Sequence, residues 1–506
     1  MGTIGRRARE LAVPVVVCAL TLGVYCLYSV GQWRMMASPS WDLAIFTEAA
    51  KSYSQGHWPI VPIKGPGFNL LGDHFHPILV LLGPVYRVFP SGLTLLILQN
   101  ALLAWSAWPV TRAATRLVGS AGGFVIGLAY GLGWGLQGAV GAQFHEIAFA
   151  VPMLAHGGVA FAQGRYRACM AWLAPLVLVK EDLGLTIMVA GLVLAWRRRD
   201  QGRRALAESL AFAAFGAVAF VITTQVLLPA LNPAGTWAYS LDGSATGAGS
   251  SAGGAAVAKV WPSLIEILTF PSVKIATVLV CVLGAGVVGA ASPWFALVVP
   301  TLAWRFMGSV DFYYGWSSWH YNAVLVPIAS AALLDVLGRA AQWRDRRSAD
   351  EDRALADEAG AAAWRAERLS SWWGTGVISA GVATPLLALA ATAPLLPMWQ
   401  LTSSGFGQDG PRAEAAHQAM AAVPAGSAVE TDITLMARMV PDHEVYWVGS
   451  AKDMDPLPEY VVVDQHSYVW GGRDVTAVGW ATDAHPGHSY ELVFERNGFQ
   501  VARRTS

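Results

Sequence analysis

Apolar runs recur along this chain at positions 11–30, 91–111, 121–142, 147–163, 168–179, 183–196, 205–229, 274–291, 293–308, 321–338 and 372–397. A helix of about 20 apolar residues crosses the hydrocarbon of a bilayer, and lipid leaves no partner for unpaired backbone groups, so repeated runs of this kind dictate a bundle of helices. Composition agrees, because a chain of 506 residues that is 54% hydrophobic and 13% charged, with a mean hydropathy of +0.43, cannot clothe itself as a soluble protein. Several runs are short or contain Gly and Pro, so about eleven spans are expected, give or take one or two.

Arginine placement gives an independent check. Arg6, Arg7 and Arg9 precede the first run, which is too long for a signal-peptide core, so the chain is expected to start in the cytoplasm and emerge at residue 31. Threaded in and out from there, Arg112 and Arg116, Arg165 and Arg167, Arg197 to Arg204, and Arg339 to Arg368 all fall on the cytoplasmic side. The apolar segment 76–90 is short for a span, and counting it as one would put Arg112 and Arg116 outside. It is expected as an interfacial or re-entrant helix on the outer face.

The expected architecture is an all-α polytopic membrane domain, 1–400, with a first external loop at 31–90 and a cytoplasmic loop at 339–370, followed by a soluble external domain at 401–506. In the tail, 427–431, 444–448 and 459–464 read as short strands and 433–440 as a helix, a small α/β domain. The stretch 242–256 is rich in Gly, Ser and Ala and is expected to be flexible, and 344–368 to be a solvated helix. Basic and acidic side chains balance at 34 each, which argues against a nucleic-acid partner. Cys18, Cys26, Cys169 and Cys281 lie within apolar runs, without the spacing of a disulfide framework or a zinc site.

Ionisable residues gather where the spans meet the outer face: Asp42 and Glu48; Asp73, His74 and His76; His145 and Glu146; Lys180, Glu181 and Asp182; and His320. A charge at the bilayer centre costs about 2.5–3.5 kcal/mol on insertion scales, so acids at helix mouths mark an aqueous cavity. Asp42 reads as a general base in a pocket walled by Trp41, Phe46 and Trp58, or as a helix cap. His74 and His76 have a spacing that a divalent metal can use, with Asp73, His145 with Glu146, or Glu181 with Asp182 as further ligands, although His76 also reads as the cap of a helix starting at Pro77. Lys180 and Arg305 read as cations for a lipid phosphate, or as snorkelling side chains. Trp319, His320 and Tyr321 complete the substrate-binding candidates, together with Tyr313, Tyr314 and Trp316, against the default of an interfacial aromatic belt.

The segments W-D-L-A-I-F at 41–46, G-D-H-F-H-P at 72–77, F-H-E at 144–146, V-K-E-D-L-G-L at 179–185 and W-H-Y-N-A-V-L-V-P at 319–327 resemble the bacterial membrane-protein family catalogued as domain of unknown function 2079. That family in turn looks like the GT-C glycosyltransferases in its span number, its large first loop with an early acid, the H-P before an apolar interfacial helix, and its external C-terminal domain. The resemblance implies a polyprenyl-phosphate sugar donor, inverting transfer at the external face to an envelope glycan, lipid or protein, and Asp42 in the place of the first-loop catalytic acid. The chain departs from better-known members in having Leu43 after Asp42 and histidines around Asp73. The base therefore stays open between Asp42 and Asp73, as does participation of a metal. The competing reading is a transporter or flippase for a lipid-linked or anionic solute, which would place its ionisable residues near the bilayer midplane and often carries inverted repeats. A third, a sensor or scaffold, leaves the clustered acids unexplained.

Overall fold

The computed structural model describes residues 3–233, 235, 267–308, 310–317, 319–356, 363–451 and 457–505. The stretch 242–256 lies outside them, as does 357–362 within the stretch 344–368. The chain is mostly helical, with one small sheet near its C-terminus. Among the described residues, Glu10–Arg34, Gly92–Gly141, Arg203–Leu231, His320–Arg344 and Gly376–Leu395 are long and apolar enough to cross a membrane. Shorter apolar helices stand among them: Pro77–Val88, Glu146–Ala162, Tyr166–Leu178, Leu183–Arg197 and Pro271–Gly284.

The longest of these folds back on itself. Helix Gly92–Gly131 reverses at Gly119, whose φ of 80° and ψ of 175° lie in a region that a residue with Cβ rarely adopts. Its arms correspond to the separate apolar runs 91–111 and 121–142. They touch because Gly123 and Gly127 lack side chains: a Cβ there would run into Thr115 and Thr111. The segment after His76 forms a 3₁₀ turn, Pro77–Leu81, and a helix of seven residues, Leu82–Val88, too short to span lipid. It buries Leu79, Leu82 and Tyr86 and leaves Val88 and Phe89 exposed.

Charge is segregated between the two ends of the bundle. Helix Leu183–Arg197 carries Lys180, Glu181 and Asp182 before its first residue and Arg197, Arg198 and Arg199 at its last. At the arginine end, buried Asp335 accepts from Arg197 (2.6 Å) and Ser292 (2.7 Å) and pairs with Arg339 (3.1 Å). Glu208 pairs there with Arg167, Arg198 and Arg204 at 2.7–3.3 Å.

In the C-terminal sheet, β1 (Ala428–Thr431), β2 (Glu444–Trp447) and β3 (Tyr460–Asp464) are parallel, in the places where the sequence pattern puts strands. β4 (Tyr490–Arg496) and β5 (Phe499–Arg504) complete the order β2-β1-β3-β5-β4, with β5 antiparallel to both its neighbours. β3 is buried on both faces, which is why it reads as the unbroken run Y-V-V-V-D. Val461 and Val463 pack with helix Ala477–Ala484, whereas Tyr460 and Val462 join helix Pro411–Ala421 in a core continuous with the membrane helices. Hydrogen bonds seat the sheet on the first loop. Lys51 Nζ donates to the carbonyls of Val440 (2.7 Å) and His443 (2.8 Å), Arg438 to Trp33 (2.9 Å), and the Tyr468 hydroxyl to Pro39 (2.9 Å).

Candidate functional site

Five segments far apart in sequence meet around one cavity, about 660 Å³ including its mouth. Helix Asp42–Ser54 contributes Asp42, Ile45 and Phe46. The rest of the first loop supplies Lys64, Leu70, Asp73, His74 and His76, and the remaining walls are His145 and Glu146, Lys180, and Trp304, Tyr313, His320 and Tyr321. This is the end of the bundle that carries the C-terminal sheet: Trp41, on the cavity wall, meets Trp447 of β2 edge to face at 5.7 Å.

Four carboxylates at this site each have a base. Asp73 pairs with Lys64 (2.5 Å), Glu146 with Lys180 (2.9 Å), Glu181 with His74 (2.7 Å) and Asp42 with His145 (3.4 Å). Glu181 stands behind the wall, where it also accepts from the Phe75 amide (3.1 Å). The adjacent Asp182 has a buried carboxylate oxygen with no hydrogen-bond partner among the described residues.

Asp42 is the first residue of its helix, which has no side-chain cap at Trp41; the Asp42 amide donates to Ser40 Oγ (3.3 Å) while its carboxylate faces His145. Burial pushes the Asp42 carboxyl up, but His145 and Ser40 outweigh burial and hold it below the ordinary aspartate value. Burial also acts first on the two loop histidines. It pushes His76 down to about 4, whereas at His74 the facing Glu181 overcomes it and raises the imidazole.

His145 is fixed from two directions. Its amide donates to Gln99 Oε1 (3.0 Å), and its Nδ1 lies 3.2 Å from the Gln143 carbonyl, an oxygen that only accepts. Nδ1 is therefore the atom turned to the backbone, and Nε2 the atom turned to Asp42. The ring stacks on His320 with centroids 3.7 Å apart. Backbone strain precedes each member of the pair: Gln143 has φ 74° and Trp319 φ 61°, values uncommon for residues other than glycine.

The structure thus gathers Asp42, Asp73, His74, His76, His145, Glu146, Lys180, His320 and Tyr321 on one cavity, with Glu181 and Asp182 adjoining. Arg305 is placed elsewhere. Its guanidinium is buried behind the wall, outside the cavity lining, and donates to the carbonyls of Tyr313 (2.7 Å) and Gly315 (2.8 Å) and to Asn322 Oδ1 (2.8 Å), so it braces residues 313–315 against Asn322. Trp319 faces a neighbouring groove, and Trp58, expected as a wall, stands 65% exposed and outside the lining. His74, His76, His145 and Glu146 line the cavity, but among the described residues no three His, Cys, Asp or Glu side chains are disposed to share a metal ion. Lys64 and Trp304 are lining residues that sequence reasoning passed over. Lys64 lies in the short turn Pro62–Lys64 with only its charge as a signal, and its role depends on Asp73 nine residues away.

A comparison with curated proteins finds no match. Among solved structures, the chain is similar to the crystal structure of ArnT from Cupriavidus metallidurans in the apo state, with 15% identity, 96% of this chain and 97% of that chain covered, and a TM-score of 0.45. At that identity and score the likeness assigns no residue of this chain a role. A family profile described as "Predicted membrane protein (DUF2079)" matches residues 33–501, a span that takes in the first loop, every cavity residue and most of the C-terminal sheet. The chain therefore belongs to the DUF2079 family of predicted membrane proteins.

Proposed function

We propose that this chain is a membrane glycosyltransferase that moves a sugar from a polyprenyl-phosphate donor to an envelope acceptor at the external face of the bacterial plasma membrane. The observation that carries the reading is the shared cavity, in which a carboxylate partnered by a histidine, Asp42, lines the same space as the ammonium groups of Lys64 and Lys180. Asp42 takes the proton of an acceptor hydroxyl. The freed oxygen attacks the anomeric carbon, the bond from that carbon to the phosphate oxygen breaks, and the lipid phosphate leaves with its charge balanced by Lys180 and Lys64. Attack opposite the leaving group inverts the anomeric centre. Asp73 is the weaker candidate for the base because Lys64 holds its carboxylate at 2.5 Å.

The segregation of arginines to the far end of the bundle supports an external cavity, a cytoplasmic N-terminus and an external C-terminal domain at 401–506. The lipid donor follows from the sequence resemblance to the GT-C class. The test is transfer of radiolabelled sugar from a panel of polyprenyl-phosphate donors to endogenous envelope acceptors, in membranes holding equal amounts of wild type, Asp42→Asn or Asp73→Asn. Loss of about 10²- to 10⁴-fold in Asp42→Asn, the range for a general base, is expected. A larger loss in Asp73→Asn reassigns the base. No transfer by any form, with protein-dependent movement of the donor across vesicles, replaces the enzyme with a flippase.

A further inference from the structure

Beside the cavity lies an open groove of about 770 Å³ including its mouth. Tyr28 and Gln32 of the first helix form one side, and Pro39, Trp319, Gln400 and Phe406 close around it. The Tyr28 and Phe406 rings stack at 5.1 Å, an approach open to Phe406 because residue 31 is glycine. Groove and cavity share their partition. Pro39 on the groove side leads to Trp41 and Asp42 on the cavity side, and Trp319 leads to His320 and Tyr321. A file of aromatic rings joins the two spaces: Trp304 to Tyr313 (5.5 Å), Tyr313 to Tyr321 (4.7 Å), Tyr321 to Phe312 (6.4 Å) and Phe312 to Trp319 (5.5 Å).

We propose that this groove is the acceptor subsite and that it takes a carbohydrate chain, an inference that rests on the transferase reading above. The groove sets aromatic faces next to amides and a phenol. Gln32 Nε2 donates to the Tyr28 hydroxyl at 3.3 Å, and that hydroxyl donates to Gln400 Oε1 at 3.4 Å, both long bonds that sugar hydroxyls can replace. A sugar ring offers a C–H face to the negative face of an aromatic ring and hydroxyls around its edge, which matches both parts of this wall. An isoprenoid chain brings no hydrogen-bonding group and offers no partner to Gln32 Oε1, which has none among the described residues. The file of rings leads the end of such a glycan from Trp319 toward Asp42, where one hydroxyl has to lose its proton.

Ser317 lies on the groove wall, so Ser317→Cys reports occupancy through its labelling rate with a maleimide, with the wild-type protein and its four cysteines as background. The probes are the mixed oligosaccharides released from the host's own envelope by mild acid, and a polyprenyl phosphate. At ten times its dissociation constant a bound probe slows labelling about ten-fold by mass action. Protection by the oligosaccharides and not by polyprenyl phosphate is the expected result. Protection by polyprenyl phosphate alone makes the groove the donor's lipid channel, and protection by neither removes the subsite; each overturns the proposal. Ala142→Trp, which fills the groove, is expected to raise KM for the acceptor by on the order of ten-fold or more and leave KM for the donor unchanged. Oligosaccharide protection in a protein that transfers no sugar would sink the transferase reading and leave the glycan groove standing.

Discussion

Gln143 and Trp319 hold positive φ just before the two stacked histidines, and a conformation of that kind costs about 1–3 kcal/mol and persists only where its surroundings enforce it. At position 143 the enforcement is visible: the Gln143 carbonyl accepts from Gln99 Nε2 (2.9 Å) and its side-chain amide donates to the Ala37 carbonyl (3.0 Å). Gln143→Val, a β-branched residue in that conformation, is expected to lower thermal stability by roughly 1–3 kcal/mol and to depress sugar transfer, whereas Gln143→Asn keeps more of both. Equal unfolding temperatures for the two variants would show that the strain is not borne there. A second residue gives a pH signature. Burial, with Asp464 adding to it against hydrogen bonds from the backbone, pushes the Asp432 carboxyl up to about 6. The folded state therefore holds this proton more tightly than the unfolded chain does. Its contribution is fully present below about pH 4 and lost as pH rises through about 6, a change of about 3 kcal/mol for two pH units. Thermal unfolding of wild type and Asp432→Asn at pH 4.5 and 7 is expected to show the wild type losing ground to the variant at the higher pH. The sequence makes the acids and histidines at this site conspicuous because ionisable groups are costly among apolar runs. It does not reveal which acid meets which base: Glu181 meeting His74 across 107 residues, or Lys180 meeting Glu146 across 34, is decided by how distant segments pack.

Among the elements, the hairpin turned at Gly119 depends on small residues along its seam. Gly123→Leu is expected to force the arms apart and destabilise the protein by about 1–3 kcal/mol, read as a lower unfolding temperature in detergent, because its first side-chain atom would already meet Thr115. An unchanged unfolding temperature would mean that the seam opens freely. The strands at 428–431, 444–447 and 460–464 announce themselves because each carries a short β-rich apolar run between turn residues. β4 does not, since only Tyr490 is buried in this edge strand and no alternation marks Y-E-L-V-F-E-R. β5 escapes for another reason: its register against β3 is set by residues some forty positions upstream.

For the molecule as a whole, the separation of the arginine clusters from the acid and histidine cluster, Arg305 apart, is legible from residue order alone, and the ion pairs around Asp335 and Glu208 give it a structural basis. The joining of sheet and helices through one continuous core is not legible, because Lys51, Arg438 and Tyr468 make that joint by donating to backbone carbonyls, which no residue pattern encodes.

Helix Leu183–Arg197 separates those two charged ends with 15 residues, about 22 Å at 1.5 Å per residue, while the hydrocarbon of an ordinary bilayer is about 30 Å thick. Where a helix this short crosses the bilayer, hydrophobic mismatch is met by local thinning, which would draw lipid headgroups toward the depth of Lys180. On the transferase reading proposed above, a phosphate carried on a lipid would then reach the cavity without being hauled out of the leaflet. Transfer is expected to run faster in vesicles of short-chain lipids and to fall as the acyl chains lengthen, since a thicker bilayer lifts the headgroups away from the cavity mouth; a rate indifferent to chain length would mean that the surrounding lipid is not thinned.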